Sequence, residues 1–162
     1  MVVDSVSRRI LVICGGNTCR SPMAEVMLRS MLLRSGAAMG SPSGDAADTV
    51  VESAGAAAVD GMSASQKAIA ALARIGLDLS GHRSRALTRE IISKADVILA
   101  MEVKHAARAV ELDPNAADRT RTLADHNIPD PYGGSLDEYE RTRDQIEAAL
   151  RKYLNEDRGD VS

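Results

Sequence analysis

The 162-residue sequence has no phenylalanine and no tryptophan, and only three tyrosines. Its core must therefore be built from Ala, Val, Ile, Leu and Met, and any aromatic near a site stands out. Cysteine is nearly as scarce. Cys14 and Cys19 are the only two, too close in sequence to staple a fold, and in a reducing compartment such a pair points to catalysis or metal binding. No second Cys or His pair stands at ligand spacing, so no metal is expected, and no cofactor is implied. There is no run of about 18 apolar residues, and residues 1–13 lack the charged start and apolar stretch of an export signal, so a cytoplasmic protein without a membrane partner is expected. A basic excess is missing too. The net charge of -3 and pI near 5.6 provide no field that would draw in nucleic acid or an anionic membrane.

What is present is ordinary globular usage, 44% hydrophobic and 27% charged residues, enough for one domain over 1–162. The core is expected over about 9–154, with a flexible loop over 36–48, rich in Gly, Ala, Ser and Pro, and a tail over 155–162. The apolar run Ile10 to Cys14 reads as a buried strand; Ser21 and Pro22 then read as the cap and first residue of a helix carrying Met23, Val26, Met27 and Met31. A strand follows near Val50 to Ser53, a helix over Ala64 to Gly76, and a strand covered on both sides at Val97 to Met101. A helix over Val103 to Leu112, a weak strand near Arg119 to Leu123, and a helix capped by Ser135 complete the series. Strands alternating with helices imply an α/β fold, a doubly wound parallel sheet flanked by helices on both faces, with its site at the carboxyl ends of the strands.

The segment Cys14-Gly15-Gly16-Asn17-Thr18-Cys19-Arg20-Ser21-Pro22 puts a cysteine at a strand end, five residues, an arginine and a capped helix in succession. The glycines are expected to let the backbone curl so that the amides of 15–20 point inward as an anion nest beside a helix N-terminus. Such a nest favours phosphate and thiolate alike, so Cys14 is expected to have a depressed pKa and to act as a nucleophile. Arg20 offers a planar fork for two phosphate oxygens and for transition-state charge.

These residues resemble the low-molecular-weight protein tyrosine phosphatases, whose signature Val-Cys-x-Gly-Asn-x-Cys-Arg-Ser-Pro differs here only by Ile13 for Val. The resemblance continues through Ser53-Ala54-Gly55, Gly76-Leu77, His82, Ala95 to Met101 and Asp130-Pro131-Tyr132. It implies a four-stranded parallel sheet and a phosphoryl group passing from a phosphorylated protein side chain to Cys14, then to water as inorganic phosphate. Asp130 matches the family's general acid and base, with Asp125 in the same loop as the fallback. Asn17, Ser21, Ser53 and His82 match the hydrogen-bonded set behind the phosphate loop; His105 and His126 are given no role.

Substrate preference rests on two positions. Tyr132 supplies one aromatic wall, but Ala56 to Val59 supply none opposite, and Thr18 stands where tyrosine-directed members usually carry an aliphatic residue. Together with Asp130-Pro131-Tyr132-Gly133-Gly134-Ser135 and Thr142-Arg143-Asp144, Thr18 resembles the bacterial protein-arginine phosphatase branch. Phosphoarginine is thus the expected substrate and phosphotyrosine the alternative. Arsenate reductases of this fold use cysteines further downstream, and none follows Cys19. A phosphate-binding adaptor would have lost Cys14, Arg20 or Asp130. Finally, Cys14 and Cys19 within one loop suggest a redox pair, in which Cys19 resolves a sulfenic acid on Cys14; packing of Cys19 as a small hydrophobe is the other reading.

Overall fold

The computed structural model describes residues 8–38 and 48–159. Four strands, β1 (Arg8–Cys14), β2 (Thr49–Gly55), β3 (Val97–Ala100) and β4 (Thr120–Thr122), form one sheet in the order β2-β1-β3-β4. All three pairings are parallel, with Cys14 opposite Gly55 and Ile13 opposite Ala100.

The continuous apolar run of β1 is explained by cover on both faces. Ile10, Val12 and Cys14 pack with Met23, Met27, Leu72, Ile146 and Leu150. Leu11 and Ile13 turn the other way, onto Ile92, Ile98 and Ala109. The first face is thus covered by α1 (Arg20–Ala38), α2 (Gln66–Ala73) and α5 (Leu136–Gly159), and the second by α3 (Arg89–Lys94) and α4 (Val103–Leu112). Short α3, capped by the Thr88 hydroxyl, has too little apolar periodicity to be read from sequence.

Several boundaries differ from expectation. Helix α1 starts at Arg20, with Met23 N donating to Cys19 O at 3.2 Å, so Ser21 lies inside the helix and its hydroxyl is used elsewhere. Residues 36–38 of the expected loop belong to α1, whereas 39–47 lie outside the described residues. The expected tail continues α5 to Gly159, where ion pairs Arg8–Asp157 at 2.7 Å and Arg121–Glu156 at 3.5 Å tie it to the sheet. The Ser135 cap is as read, its Oγ accepting from Glu138 N at 3.2 Å, whereas α2 ends at Ala73, short of Gly76, which takes φ 79° in the turn that follows.

Because the sheet is parallel, all strands end at one edge. The chain runs from β1 to β2 on one side and returns to β3 on the other, so the loop after β1 opens into the crevice where strand order reverses.

Candidate active site

The loop after β1 is shaped from outside. Cys14 O accepts from Ala56 N at 2.8 Å, Gly15 O from Ala57 N at 2.9 Å, and Thr18 O from Ser65 N at 2.9 Å; Asn17 O lies 2.8 Å from His82 Nε2. In a trans peptide the next N–H points opposite to the carbonyl. Four carbonyls held outward therefore turn the amides of Gly15, Gly16, Thr18 and Cys19 inward, the arrangement an anion nest requires. The residue with positive φ is Asn17, at 56°, and neither Gly15 nor Gly16 is. The curl expected of the two glycines thus falls to Asn17, a residue type that tolerates the left-handed region. Gly55 is the glycine the loop leans on: a Cβ there would lie 2.5 Å from Gly15 O and 2.9 Å from Asn17 N.

Asn17, Ser21, Ser53 and His82 do come together behind the loop. Asn17 Nδ2 donates to Ser21 Oγ at 2.9 Å and to Ser53 Oγ at 3.0 Å, and Asn17 Oδ1 accepts from Arg85 N at 2.9 Å. Ser21 Oγ lies 2.9 Å from Cys14 Sγ, which also accepts from Asn17 N at 3.3 Å. Cys14 is 2% exposed. Burial pushes its thiol up, against the expected depression, while the Ser21 hydroxyl, Arg20 and the Asn17 amide pull it back. These contacts do not outweigh the removal of sulfur from water.

Arg20, the first residue of α1, is also buried. Its Nη1 donates to Glu102 Oε2 at 2.6 Å and to Ile128 O at 2.7 Å, and its Nη2 lies 3.6 Å from Asp130 Oδ2. Glu102 and His105 were missed by sequence reasoning; the usable signal was an acid and a histidine directly after the carboxyl end of β3, three positions apart. Burial alone would raise the Glu102 carboxyl, but Arg20 holds it below its usual range. Glu102 caps α4: its side chain accepts from the His105 backbone, and His105 Nδ1 accepts from Glu102 N at 3.2 Å. The His105 hydrogen therefore sits on Nε2, which is buried and has no hydrogen-bond partner among the described residues. Burial, then Arg20, lowers its pKa to about 4, so it stays neutral beside the loop.

A cavity of about 230 Å³ opens over the loop, lined by Cys14, Gly16, Thr18, Cys19, Arg20, Asp130 and Tyr132. Asp130 is half exposed, and its Oδ1 accepts from Tyr132 N at 3.1 Å. Tyr132 is 76% exposed at the rim. Asp125, the fallback acid, stands apart from this cavity: it pairs with His126 at 2.9 Å and lines a different cavity with Arg121 and Lys152. Both cysteines are free. Cys19 Sγ lies 3.4 Å from Tyr139 OH and donates to Ser65 Oγ at 3.5 Å. Burial, then Cys19, pushes the Tyr139 hydroxyl up to about 12. Among the described residues no group of three or more His, Cys, Asp or Glu could hold a metal ion, and no helix is long and apolar enough to cross a membrane.

Comparison with known proteins agrees with this geometry. The family model of the low molecular weight phosphotyrosine protein phosphatases matches residues 9–161. A protein-arginine-phosphatase of Bacillus subtilis is 35% identical over 158 residues, covering 92% of this chain and 98% of the relative. The low molecular weight protein-tyrosine-phosphatase Etp of Escherichia coli is 34% identical over 148 residues, covering 89% and 90%. Among solved structures, the YwlE arginine phosphatase of Geobacillus stearothermophilus superposes with a TM-score of 0.81 at 34% identity, covering 94% of each chain. A family match over nearly the whole chain, with relatives of both substrate types at similar identity, means that this chain belongs to the low molecular weight phosphotyrosine protein phosphatases and is a cysteine-dependent protein phosphatase.

Proposed function

We propose that the protein removes phosphate from phosphorylated arginine side chains of cytoplasmic proteins by way of a phosphocysteine on Cys14. The phosphoryl oxygens take the inward amides, and Arg20 shares its guanidinium between Glu102 and the anion. The thiol proton must leave before Cys14 Sγ attacks phosphorus; the Ser21 hydroxyl, the Asn17 amide and Arg20 all favour that loss. As the P–N bond breaks, Asp130 gives its proton to the departing guanidine nitrogen. Its carboxylate then takes a proton from the water that cleaves the S–P bond, releasing inorganic phosphate and restoring Cys14.

The observation that carries the substrate is Thr18. Its hydroxyl lines the cavity and, among the described residues, makes only a long 3.8 Å contact with Cys19 Sγ, so it is available to a polar guanidinium. Among the described residues no second aromatic lines the cavity opposite Tyr132. Phosphotyrosine is the second reading, favoured by the exposed Tyr132 ring at the rim. Parallel turnover of phosphoarginine and phosphotyrosine peptides tests the choice. The wild type is expected to prefer phosphoarginine and Thr18→Ile to shift the ratio toward phosphotyrosine; an unchanged ratio would remove the argument. We also propose that Cys14 and Cys19 form a redox pair. In the reduced state Cys19 faces Ser65 and Tyr139, so pairing requires its side chain to turn.

A further inference from the structure

Behind the phosphate loop the hydrogen-bonded chain does not stop at Ser53. The Ser53 hydroxyl donates to Glu25 Oε1 at 2.5 Å, and Arg29 Nη2 donates to Glu25 Oε2 at 2.6 Å and to Val51 O at 2.8 Å. Ser21, Glu25 and Arg29 stand four residues apart along α1, so one helix face presents them in line, with Glu preceding Arg in the favourable order. Glu25 does not line the catalytic cavity. It borders a separate cleft of about 410 Å³ together with Glu52, His82, Arg83 and Arg85.

The direction of this chain is set by Glu25 at one end and by Arg85 N at the Asn17 amide. A carboxylate only accepts, so Glu25 takes the single proton of Ser53, and Ser53 Oγ can then only accept from Asn17 Nδ2. With Asn17 Oδ1 fixed by Arg85 N, the second hydrogen of Nδ2 goes to Ser21 Oγ. The one proton of Ser21 is left for Cys14 Sγ at 2.9 Å. Each bond in such a series polarises the next. We propose that Glu25, held by Arg29, is a positioning residue for the nucleophile: by taking the Ser53 proton it keeps Ser53 an acceptor and so, together with Arg85 N on Asn17 Oδ1, holds the Asn17 amide in the orientation that leaves the Ser21 hydroxyl to donate to the Cys14 sulfur, which favours thiolate in a buried site. This rests on the reading of Cys14 as the nucleophile. The other charged groups around the sulfur are Arg20 with its partners Glu102 and Asp130, and neutral His105 beside Gly15; none of them contacts Glu25.

The test is the pH dependence of iodoacetamide alkylation at Cys14, located by tandem mass spectrometry, in variants whose folding is checked by circular dichroism. Glu25→Ala is expected to raise the alkylation midpoint by about half a unit or more, which below the midpoint is an alkylation rate lower by roughly threefold. Glu25→Gln, which still accepts from Ser53, is expected to lose less. In a Ser53→Ala background the further change Glu25→Ala is expected to do nothing, because Glu25 acts through Ser53. If Glu25→Ala does not fold, Glu25→Gln carries the same cycle. Alkylation needs no substrate, so a wild type that alkylates normally but turns over neither phosphopeptide would overturn the functional reading alone. An unchanged midpoint in the folded Glu25 variants, or an equal further loss in the Ser53→Ala background, would overturn this proposal.

Discussion

Substituting Gly55 by Ala probes the site without touching a reacting group. The new Cβ would lie 2.5 Å from Gly15 O, 2.7 Å from Ala58 Cβ and 2.9 Å from Asn17 N, and two of these neighbours are backbone atoms of the phosphate loop. Separation cannot be regained by a rotamer change, so β2 or the loop must move. Moving the loop strains the Ala56 N to Cys14 O and Ala57 N to Gly15 O bonds, at 2.8 and 2.9 Å, that hold carbonyls outward. Overpacking of this kind costs about 1–3 kcal/mol, and at this chain length each kcal/mol lowers Tm by roughly 2–4 °C. The melting point is therefore expected to fall by about 2–12 °C. Displacing the nucleophile by about 1 Å costs on the order of a hundredfold in rate, so kcat on p-nitrophenyl phosphate is expected to fall far more than thermal stability would suggest. Differential scanning fluorimetry and steady-state kinetics read both. A Gly55→Ala protein with wild-type kcat/KM and an unchanged Tm would refute the reasoning.

Asp130→Asn is expected to slow aryl phosphates with weakly acidic phenols more than those with very acidic phenols, because only the former need a proton on the leaving oxygen; an equal loss across the series would remove Asp130 as the acid. His105 has a folded pKa of about 4 against an ordinary 6.5, so between those values the unfolded chain binds a proton that the folded chain does not. Stability is then lost as pH falls through that window, and His105→Asn is expected to show a shallower fall in urea-derived stability between about pH 6.5 and 4. After peroxide and then thiol reductant, wild type is expected to recover activity and Cys19→Ser is not; equal recovery by both proteins would show Cys19 to be packing only.

Local chemistry made much of this molecule legible. β1 declared itself as an apolar run, and Cys14, Arg20 and the turn between them announced an anion site because the residue types and spacing serve no ordinary turn. The order of elements also implied the parallel sheet. Pairings fixed by tertiary contact were not legible. From the residues alone Ser21 reads as a helix cap, and only the family resemblance put it behind the phosphate loop, where the fold sets its hydroxyl 2.9 Å from the sulfur. The two glycines read as the source of the curl, yet the left-handed residue is Asn17, and the outward pull on the carbonyls comes from residues 56, 57, 65 and 82. Glu102 and His105 follow β3 as an unremarkable polar turn, and only the sheet order brings them to Arg20. The Cys14 thiol was expected down because nest and helix dominate a local view; burial beneath α1 and β2 acts the other way and is invisible in sequence.

The three backbone donors that hold the nest open, Ala56 N, Ala57 N and Ser65 N, belong to one segment that leaves β2 and rejoins the chain at α2. None of these bonds uses a side chain. The exposed side chains at 59 and 62 can accordingly change without breaking these bonds, whereas Gly61 at φ 88°, buried Ala64 and Asp60, whose carboxylate accepts from Ala86 N, hold the segment on its course. Val59 and Met62, both exposed, lie on that span. The exposed side chains of this segment and the carbonyls its backbone holds are thus mechanically separable.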